Sequence, residues 1–457
     1  MTPGADLRTW LDRLASTGRL ALTDPGIALR FGVAGVANRL DGRQATLFPR
    51  PGGHPVPIVS GLLSQRAWMA EAMGVAERDL VPRFQDACRD PLPCKEVTGA
   101  PVQEMVHSEF DLTELLPLPT HNEHDHGAYI TAGLLITRDA RGRQNVSIHR
   151  LQVSGPDRLG ALLLPRHTLA FFRDRENAGE DLDVAIVIGA DPLTLMASQA
   201  IVPLGQDELE ISGALRGSPL PVTRCVGSEI RVPANAEIVL EGKLLARVRE
   251  PEGPFGEFPQ YYGQRAERHV IELNTVTHRR DPLYHTIVGG GREHLLLGAI
   301  PREGSFLSEL RRNFPCVTGV HLPVGGTCRY HLYVQVDRPA PGEVKNVILA
   351  ALSVHYDIKH VTVVDTDVDV QDPGEVEWAV ATRFQADRDL VVVPGAQGSK
   401  LDPSTAGGVG AKMGLDATVP SDAEPMRFTR ISVPGQQELD IAALTRDAPA
   451  DWTGALA

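Results

Sequence analysis

The chain opens with an apolar stripe at helical spacing. Leu7, Trp10, Leu11 and Leu14 recur at i, i+3, i+4 and i+7, with Asp6 placed to cap the start and Gly18 to end the helix. Pro and Gly crowd residues 45–57 and 90–101, which marks turns between short elements within an N-terminal α/β segment, 1–110. The pattern then becomes strand-like: YITAGLLIT (129–137), VSIHRLQV (146–153), VAIVIG (184–189), EIVLEG (237–242) and HVIEL (269–273). Gly, Pro and Asp separate these runs, and a helix is predicted around 193–200, so residues 111–300 read as a β-rich domain of barrel type. SFLSELRRNF (305–314) predicts a linker helix over 301–317. Beyond it, strands YHLYVQVD, HVTVVD and DLVVV alternate with helices VKNVILAALSVH and EVEWAVATRF, the first helix carrying Val344, Val347, Ile348, Ala351 and Leu352 on one face. That alternation predicts a separate C-terminal α/β domain, 318–430, followed by a polar tail, 431–457, that trails over the surface or a partner subunit.

Composition narrows the function. Hydrophobic residues at 42% and charged residues at 23% describe an ordinary globular chain, and 457 residues suit two or three domains. The 45 Lys+Arg against 58 Asp+Glu leave a net charge of −13, which excludes a global nucleic-acid footprint because phosphate binding needs a basic surface. Aromatics at 5% are too sparse for single-strand stacking platforms. No apolar run approaches a membrane span, and Met1 to Leu20 lacks a signal-peptide core. The cysteines (Cys88, Cys94, Cys225, Cys316, Cys328) are odd in number and without CxxC spacing, so the expected setting is the reducing cytoplasm.

Three attractive patterns fail. THNEHDHG groups His121, His124 and His126 with Glu123 and Asp125, but at no recognised ligand spacing, and reads as a polar loop in preference to a metal site. DTDVDV begins like a calcium loop, yet Val370 stands where Gly is required and Val376 where Glu is required. GGVGAKMG has Ala411 where a nucleotide P-loop needs Gly before Lys, leaving Lys412 as a candidate for some other phosphate contact.

Two segments carry chemistry. RQNVSIHRLQV holds Asn145 and Arg150 within an apolar strand; EPEGPFGEFPQYYG holds Glu252 and Glu257 around Gly253, Pro254 and Gly256 on a predicted tight loop. An arginine half buried in a strand needs a carboxylate partner. An arginine between two glutamates would lower the pKa of the nearer one and leave the other as a proton carrier; a purely structural ion-pair network is the competing reading. Asn145 and Arg150 are five apart, so either they face opposite sides of the strand or a bulge intervenes.

These segments, with GAYITAGLLITRD, ISGALRGSPLPV, VPANAEIVLEG and GAKMGLDAT, resemble the signature blocks of UbiD-type decarboxylases, in register from about residue 110 to 418. The resemblance implies an α+β and α/β architecture in which a split β-barrel is joined by a linker helix to a C-terminal α/β oligomerisation domain. It implies non-oxidative, reversible decarboxylation of an aromatic or unsaturated acid, with prenylated FMN as electrophile and electron sink, plus a divalent metal (Mn²⁺) and K⁺. A flavin prenyltransferase would supply the cofactor, and the chain would form a homodimer or higher homo-oligomer. Residue by residue, Asn145, His167 and Glu208 resemble the Mn²⁺ ligands, and the carbonyls of Arg143, Ala197 and Ser198 the K⁺ site. Ser147, Ile148, Arg150, Arg166, His167, Asn145 and Lys412 occupy cofactor-contact positions. Arg150, Glu252 and Glu257 resemble the catalytic trio, with Glu257 as proton donor. His294 and Arg302, eight apart in GGGREHLLLGAIPREG, resemble the substrate pair of furan-2,5-dicarboxylate decarboxylases, which favours a five-membered heteroaromatic diacid over a phenylacrylate or a polyprenyl benzoate, with another aromatic acid (a pyrrole, phenolic or phenazine carboxylate) as the alternative. Two other classes stay open on the residues alone. Paired glutamates also serve glycosidases, against which the scarcity of aromatics argues, and the chain could be a non-catalytic flavin-binding module.

Overall fold

A computed structural model describes residues 3–447. The first helix, Leu7–Ser16, forms as its stripe predicts: Asp6 accepts from the amides of Arg8 and Thr9, and Leu7, Trp10, Leu11 and Leu14 are all buried. The N-terminal segment is not closed by its own residues. Its four-stranded sheet runs Leu20–Leu22, Ala45–Phe48, Ile58–Ser60 and then Tyr284–His285, a strand from beyond the barrel.

Six antiparallel strands close a barrel in the order Ile238–Glu252, Leu182–Ile188, Tyr129–Arg138, Gln144–Val153, Arg158–Ala161 and Ala266–His278, the last pairing back to the first. Strand periodicity explains the closure. Leu182, Val184, Ile186 and Ile188 share one hydrophobic cluster with Leu151, Leu240, Ile271 and Leu273, into which the helix His167–Ala178 sends Leu169, Phe171 and Phe172. The alternate residues Ala185, Val187, Val146 and Val239 pack outward against the cluster that includes Trp10 and Trp68. All five predicted strands are present. Two of them run well beyond their predicted bounds: HVIEL extends to Ala266–His278, and the strand Ile238–Glu252 runs far enough to include Glu252, which therefore sits at a strand end and not within the loop.

The linker helix also differs from its predicted span of 301–317. It runs Arg292–Asn313, with Pro301 inside it, and Val317 already belongs to the next strand, Val317–His321. Interior proline costs a helix roughly 3 kcal/mol, but Leu295, Leu296, Leu297, Ala299 and Ile300 are all buried, and that packing outweighs the local penalty. The C-terminal sheet has the order Val317–His321, His331–Val336, His360–Asp365, Val409–Asp416, Leu390–Gln397; its central three strands are parallel. Helix Glu343–Ser353 buries the five apolar residues its pattern selects. Asp365 and Asp367 of the failed calcium motif pair with Arg383 at 3.0 and 2.6 Å. The described part of the tail is exposed, including Ile431, Val433, Ile441 and Leu444; residues 448–457 lie outside the described residues. No helix among the described residues is long and apolar enough to cross a membrane.

Candidate active site

The strand Gln144–Val153 presents two faces to two tasks. Asn145, Ser147 and His149 line one: the Asn145 amide donates to Thr168 Oγ1 at 2.9 Å, and Ser147 Oγ lies 2.9 Å from His149 Nε2. Arg150 and Gln152 lie on the other. Asn145 and Arg150 thus face opposite ways, as an odd spacing requires, and the register shift opposite Arg150 falls on the partner strand between Ile130 and Gly133.

Arg150 joins the two glutamates. Its Nη2 donates to Glu252 Oε2 at 2.9 Å, its Nη1 contacts Glu257 Oε1, and its guanidinium stands 5.2 Å over the Phe255 ring. The side chains of Arg150 and Glu257 are 10% and 11% exposed and that of Glu252 0%, so the charges compensate one another out of water. The Tyr129 hydroxyl lies 3.1 Å from both Glu252 Oε1 and Gln152 Oε1, and the Gly253 amide donates to Gln152 at 2.9 Å. Burial, and then the Glu252 charge, push the Tyr129 phenol well above its ordinary range, so it remains a donor to Glu252. Gly263 makes room: a Cβ there would stand 3.2 Å from both Arg150 Nη1 and Glu257 Oε1.

The polar loop THNEHDHG braces this loop. Asp125 accepts from the Gly256 amide at 2.8 Å and from the Asn122 amide at 2.9 Å, while the His126 amide donates to the Pro254 carbonyl at 2.9 Å. His121 is instead buried against Thr286 at 2.8 Å, and among the described residues no group of three His, Cys, Asp or Glu side chains converges as a metal site.

Among the described residues, Asn145, His167 and Glu208 are linked to one another only by way of neighbouring residues. Asn145 bonds Thr168, adjacent to His167, and Glu208 Oε2 accepts the Val146 amide at 2.8 Å. Glu208 is 3% exposed and has no basic ion-pair partner among the described residues; burial pushes its carboxyl up to about 8. The carbonyls of Arg143, Ala197 and Ser198 accept from Asp139 N, Ala200 N and Gln199 Nε2. Ile148 packs on the outer cluster. Arg166, exposed ahead of helix His167–Ala178, places Nη2 3.4 Å from His355 Nε2 of the C-terminal domain. The Lys412 ammonium donates to the Leu352 carbonyl at 2.8 Å, at the end of helix Glu343–Ser353, and lines a cavity of about 580 Å³ with His355, Tyr356 and Gln397.

His294 and Arg302 share the helix Arg292–Asn313. His294 Nδ1 accepts the Gly290 amide at 3.2 Å, so the neutral ring carries its proton on Nε2, and burial, with Arg329 and Arg302, holds the imidazole down at about 3. Arg302 Nη1 donates to the Gly298 carbonyl at 2.5 Å. Burial, with Arg329, lowers the Arg302 guanidinium pKa. Sequence reasoning passed over Arg329, which stacks 4.5 Å over Phe258, next to Glu257. Tyr129 and Gln152 carry no signal in the sequence either, whereas Asp125 stands out in THNEHDHG only as a possible metal ligand.

Profiles of the 3-octaprenyl-4-hydroxybenzoate carboxy-lyase family match three consecutive stretches: its N-terminal domain over residues 11–88, its Rift-related domain over 95–292 and its C-terminal domain over 295–417. The UbiD-class enzyme HmfF from Pelotomaculum thermopropionicum, solved in complex with FMN, superposes with a TM-score of 0.94 at 48% identity, covering 96% of this chain and 100% of that one. An evolved dimeric form of HmfF, in complex with prFMN, gives 0.89 at 46% identity over 96% of this chain and 100% of its own. Among curated relatives, the anhydromevalonate phosphate decarboxylase of Methanothermobacter thermautotrophicus is 40% identical over 379 residues, 82% of this chain and 88% of the relative. With these likenesses spanning both domains and the barrel between them, the chain belongs to the UbiD family of carboxy-lyases.

Proposed function

We propose that this chain uses prenylated FMN to decarboxylate, reversibly, a small unsaturated acid bearing a second anionic group, with furan-2,5-dicarboxylate as the favoured substrate. The observation that carries the reading is the placement of His294 and Arg302 on one helix. Arg302 Nε is buried without a hydrogen-bond partner among the described residues, and the neutral His294 has Nε2–H to donate. A buried guanidinium that spends only Nη1 on the Gly298 carbonyl keeps donors for a carboxylate, and the imidazole suits a ring heteroatom or carboxylate oxygen. A phosphorylated acid is the second reading. The curated relative's substrate carries phosphate by its name, and the same cations would bind it.

When bound, prenylated FMN supplies the electron sink for carbon dioxide loss. Asn145, His167 and Glu208 offer an amide oxygen, an imidazole and a carboxylate, a donor set suited to Mn²⁺; the buried, unpaired Glu208 carboxylate supports a cation there. Each carbonyl of Arg143, Ala197 and Ser198 keeps a second lone pair that K⁺ could use. Arg166, Lys412, Ser147 and Ile148 would hold the flavin and its phosphate. Glu257 holds the proton delivered to the substrate carbon, while Arg150 fixes it against Glu252, whose own position is held by Tyr129. The exposed apolar residues Leu390 and Val392 on the edge strand Leu390–Gln397, together with those of the tail, support assembly with further copies of the chain.

Protein co-expressed with a flavin prenyltransferase should release carbon dioxide from furan-2,5-dicarboxylate far faster than from 2-furoate. Protein loaded with plain FMN should release none. Equal turnover of the two acids would sink the diacid reading, and equal activity with plain FMN would remove the need for the prenylated cofactor.

A further inference from the structure

Arg302 does not stand alone. A Cβ built on Gly298 would lie 3.0 Å from Arg302 Nη1 and 3.1 Å from Arg329 Nη2, so both guanidiniums reach the same point of the linker helix and only glycine leaves them room. They come from different elements: Arg302 from the helix Arg292–Asn313, Arg329 from the turn before strand His331–Val336. The Nε atoms of both are buried without a hydrogen-bond partner, and no carboxylate forms an ion pair with either among the described residues. Asp357 is the carboxylate whose field reaches them, and Arg166 adds a further positive charge. Two guanidiniums brought together with so little compensation are a costly arrangement unless an anion completes it. Arg329 also fixes where that anion would sit. Its guanidinium is stacked on Phe258, the residue after Glu257, and Tyr330 packs edge-on to the same ring at 5.4 Å.

We propose that Arg329 is a specificity-determining residue, the second arm of a two-guanidinium clamp that with Arg302 holds the non-reacting anionic group of the substrate beside Phe258. This deepens the reading of a dianionic substrate and rests on it. The two arms approach from separate elements, so the anion is gripped from both the linker helix and the C-terminal domain. The stack on Phe258 sets the distance between the gripped group and the proton-donating end of the site.

The test is equilibrium binding to the holoenzyme, by calorimetry, of furan-2,5-dicarboxylate, 2-furoate and a phosphorylated alkenoic acid, for wild type, Arg329→Gln and Arg329→Lys. Losing one charge-assisted arm should weaken diacid binding by about tenfold or more, leave 2-furoate within about twofold, and be partly restored by Lys. In the ligand-free protein the melting temperature of Arg329→Gln should be equal to or above that of wild type, because a like-charge contact has been removed. A purely structural arginine would instead lower it and weaken all three ligands alike, which overturns the proposal. Diacid preference that survives intact in Arg329→Gln also overturns the proposal while leaving the proposed substrate standing. An Arg329-dependent preference for the phosphorylated acid alone supports the clamp and removes the diacid. No preference for either dianion in wild type removes both.

Discussion

Two clusters of buried charge meet the loop Gly253–Gly263 at the neighbouring residues Glu257 and Phe258, and they are built on opposite principles. Around Arg150 the positive charge is met by Glu252 and Glu257, and the outer oxygens of Glu252 are met by Tyr129. Around Arg302 and Arg329 the charges are alike and hydrogen-bond donors are left over. A compensated cluster holds its own geometry and can keep a proton in place between turnovers. An uncompensated one is incomplete until a ligand arrives. Charge balance therefore separates groups that handle protons from groups that recognise substrate, on a stretch of chain where proximity alone would merge them.

The sharpest way to break this distinction is Glu257→Gln. The amide keeps the shape but has no carboxylic proton to give, so turnover should fall by about 10²- to 10⁴-fold with the flavin absorbance unchanged. Activity within tenfold of wild type would move the proton donor to Glu252. Next in size is Arg150→Ala, which strands two carboxylates away from water. Stability should drop by about 3–5 kcal/mol, read from denaturant midpoints, and turnover should fall with it. The other cluster should respond differently. Arg302→Ala should lower kcat/KM for furan-2,5-dicarboxylate by about ten- to a hundredfold and barely alter that for 2-furoate. Equal losses on both acids would make Arg302 a general support. The smallest effect is on pH. Because His294 titrates at about 3 when folded and at 6.5 ordinarily, its contribution to stability is complete above 6.5 and is lost as the pH falls through that window. At pH 5 the loss should be about 2 kcal/mol, visible as a flatter acid limb in the urea stability profile of His294→Asn.

The two clusters also differed in how far the sequence revealed them. Arg150 is legible because a charged residue in the apolar strand VSIHRLQV cannot be left unpaired, and EPEGPFGEFPQYYG offers a pair of carboxylates framed by turn residues. Arg329 sits in GGTCRY, a turn with no periodicity, and its partner in space, Gly298, lies inside a helix that local rules would have started after Pro301. Strand and helix patterns are local, and they mark five of the six barrel strands, missing the short Arg158–Ala161. The extension of Ile238–Glu252 to its final residue depends on pairing with Ala266–His278, which no local pattern encodes. Asp125 shows a third case: the polarity of THNEHDHG was visible, but its service to the Gly256 amide is a contact across 131 residues.

The helix Arg292–Asn313 acts as a ruler. At a rise of about 1.5 Å per residue, the eight steps from His294 to Arg302 separate their Cα atoms by about 12 Å along the axis. Because 22 residues form one continuous rod, that interval cannot be stretched by loop movement. One end of the interval is registered to Gly290, which packs on the Glu257–Phe258 backbone, and the other to Gly298, where the two guanidiniums meet. Substrate length is thus measured against helical pitch. Inserting or deleting a whole turn between these marks should lengthen or shorten the accepted molecule by about 5.4 Å, while a single-residue change would swing Arg302 away from Arg329.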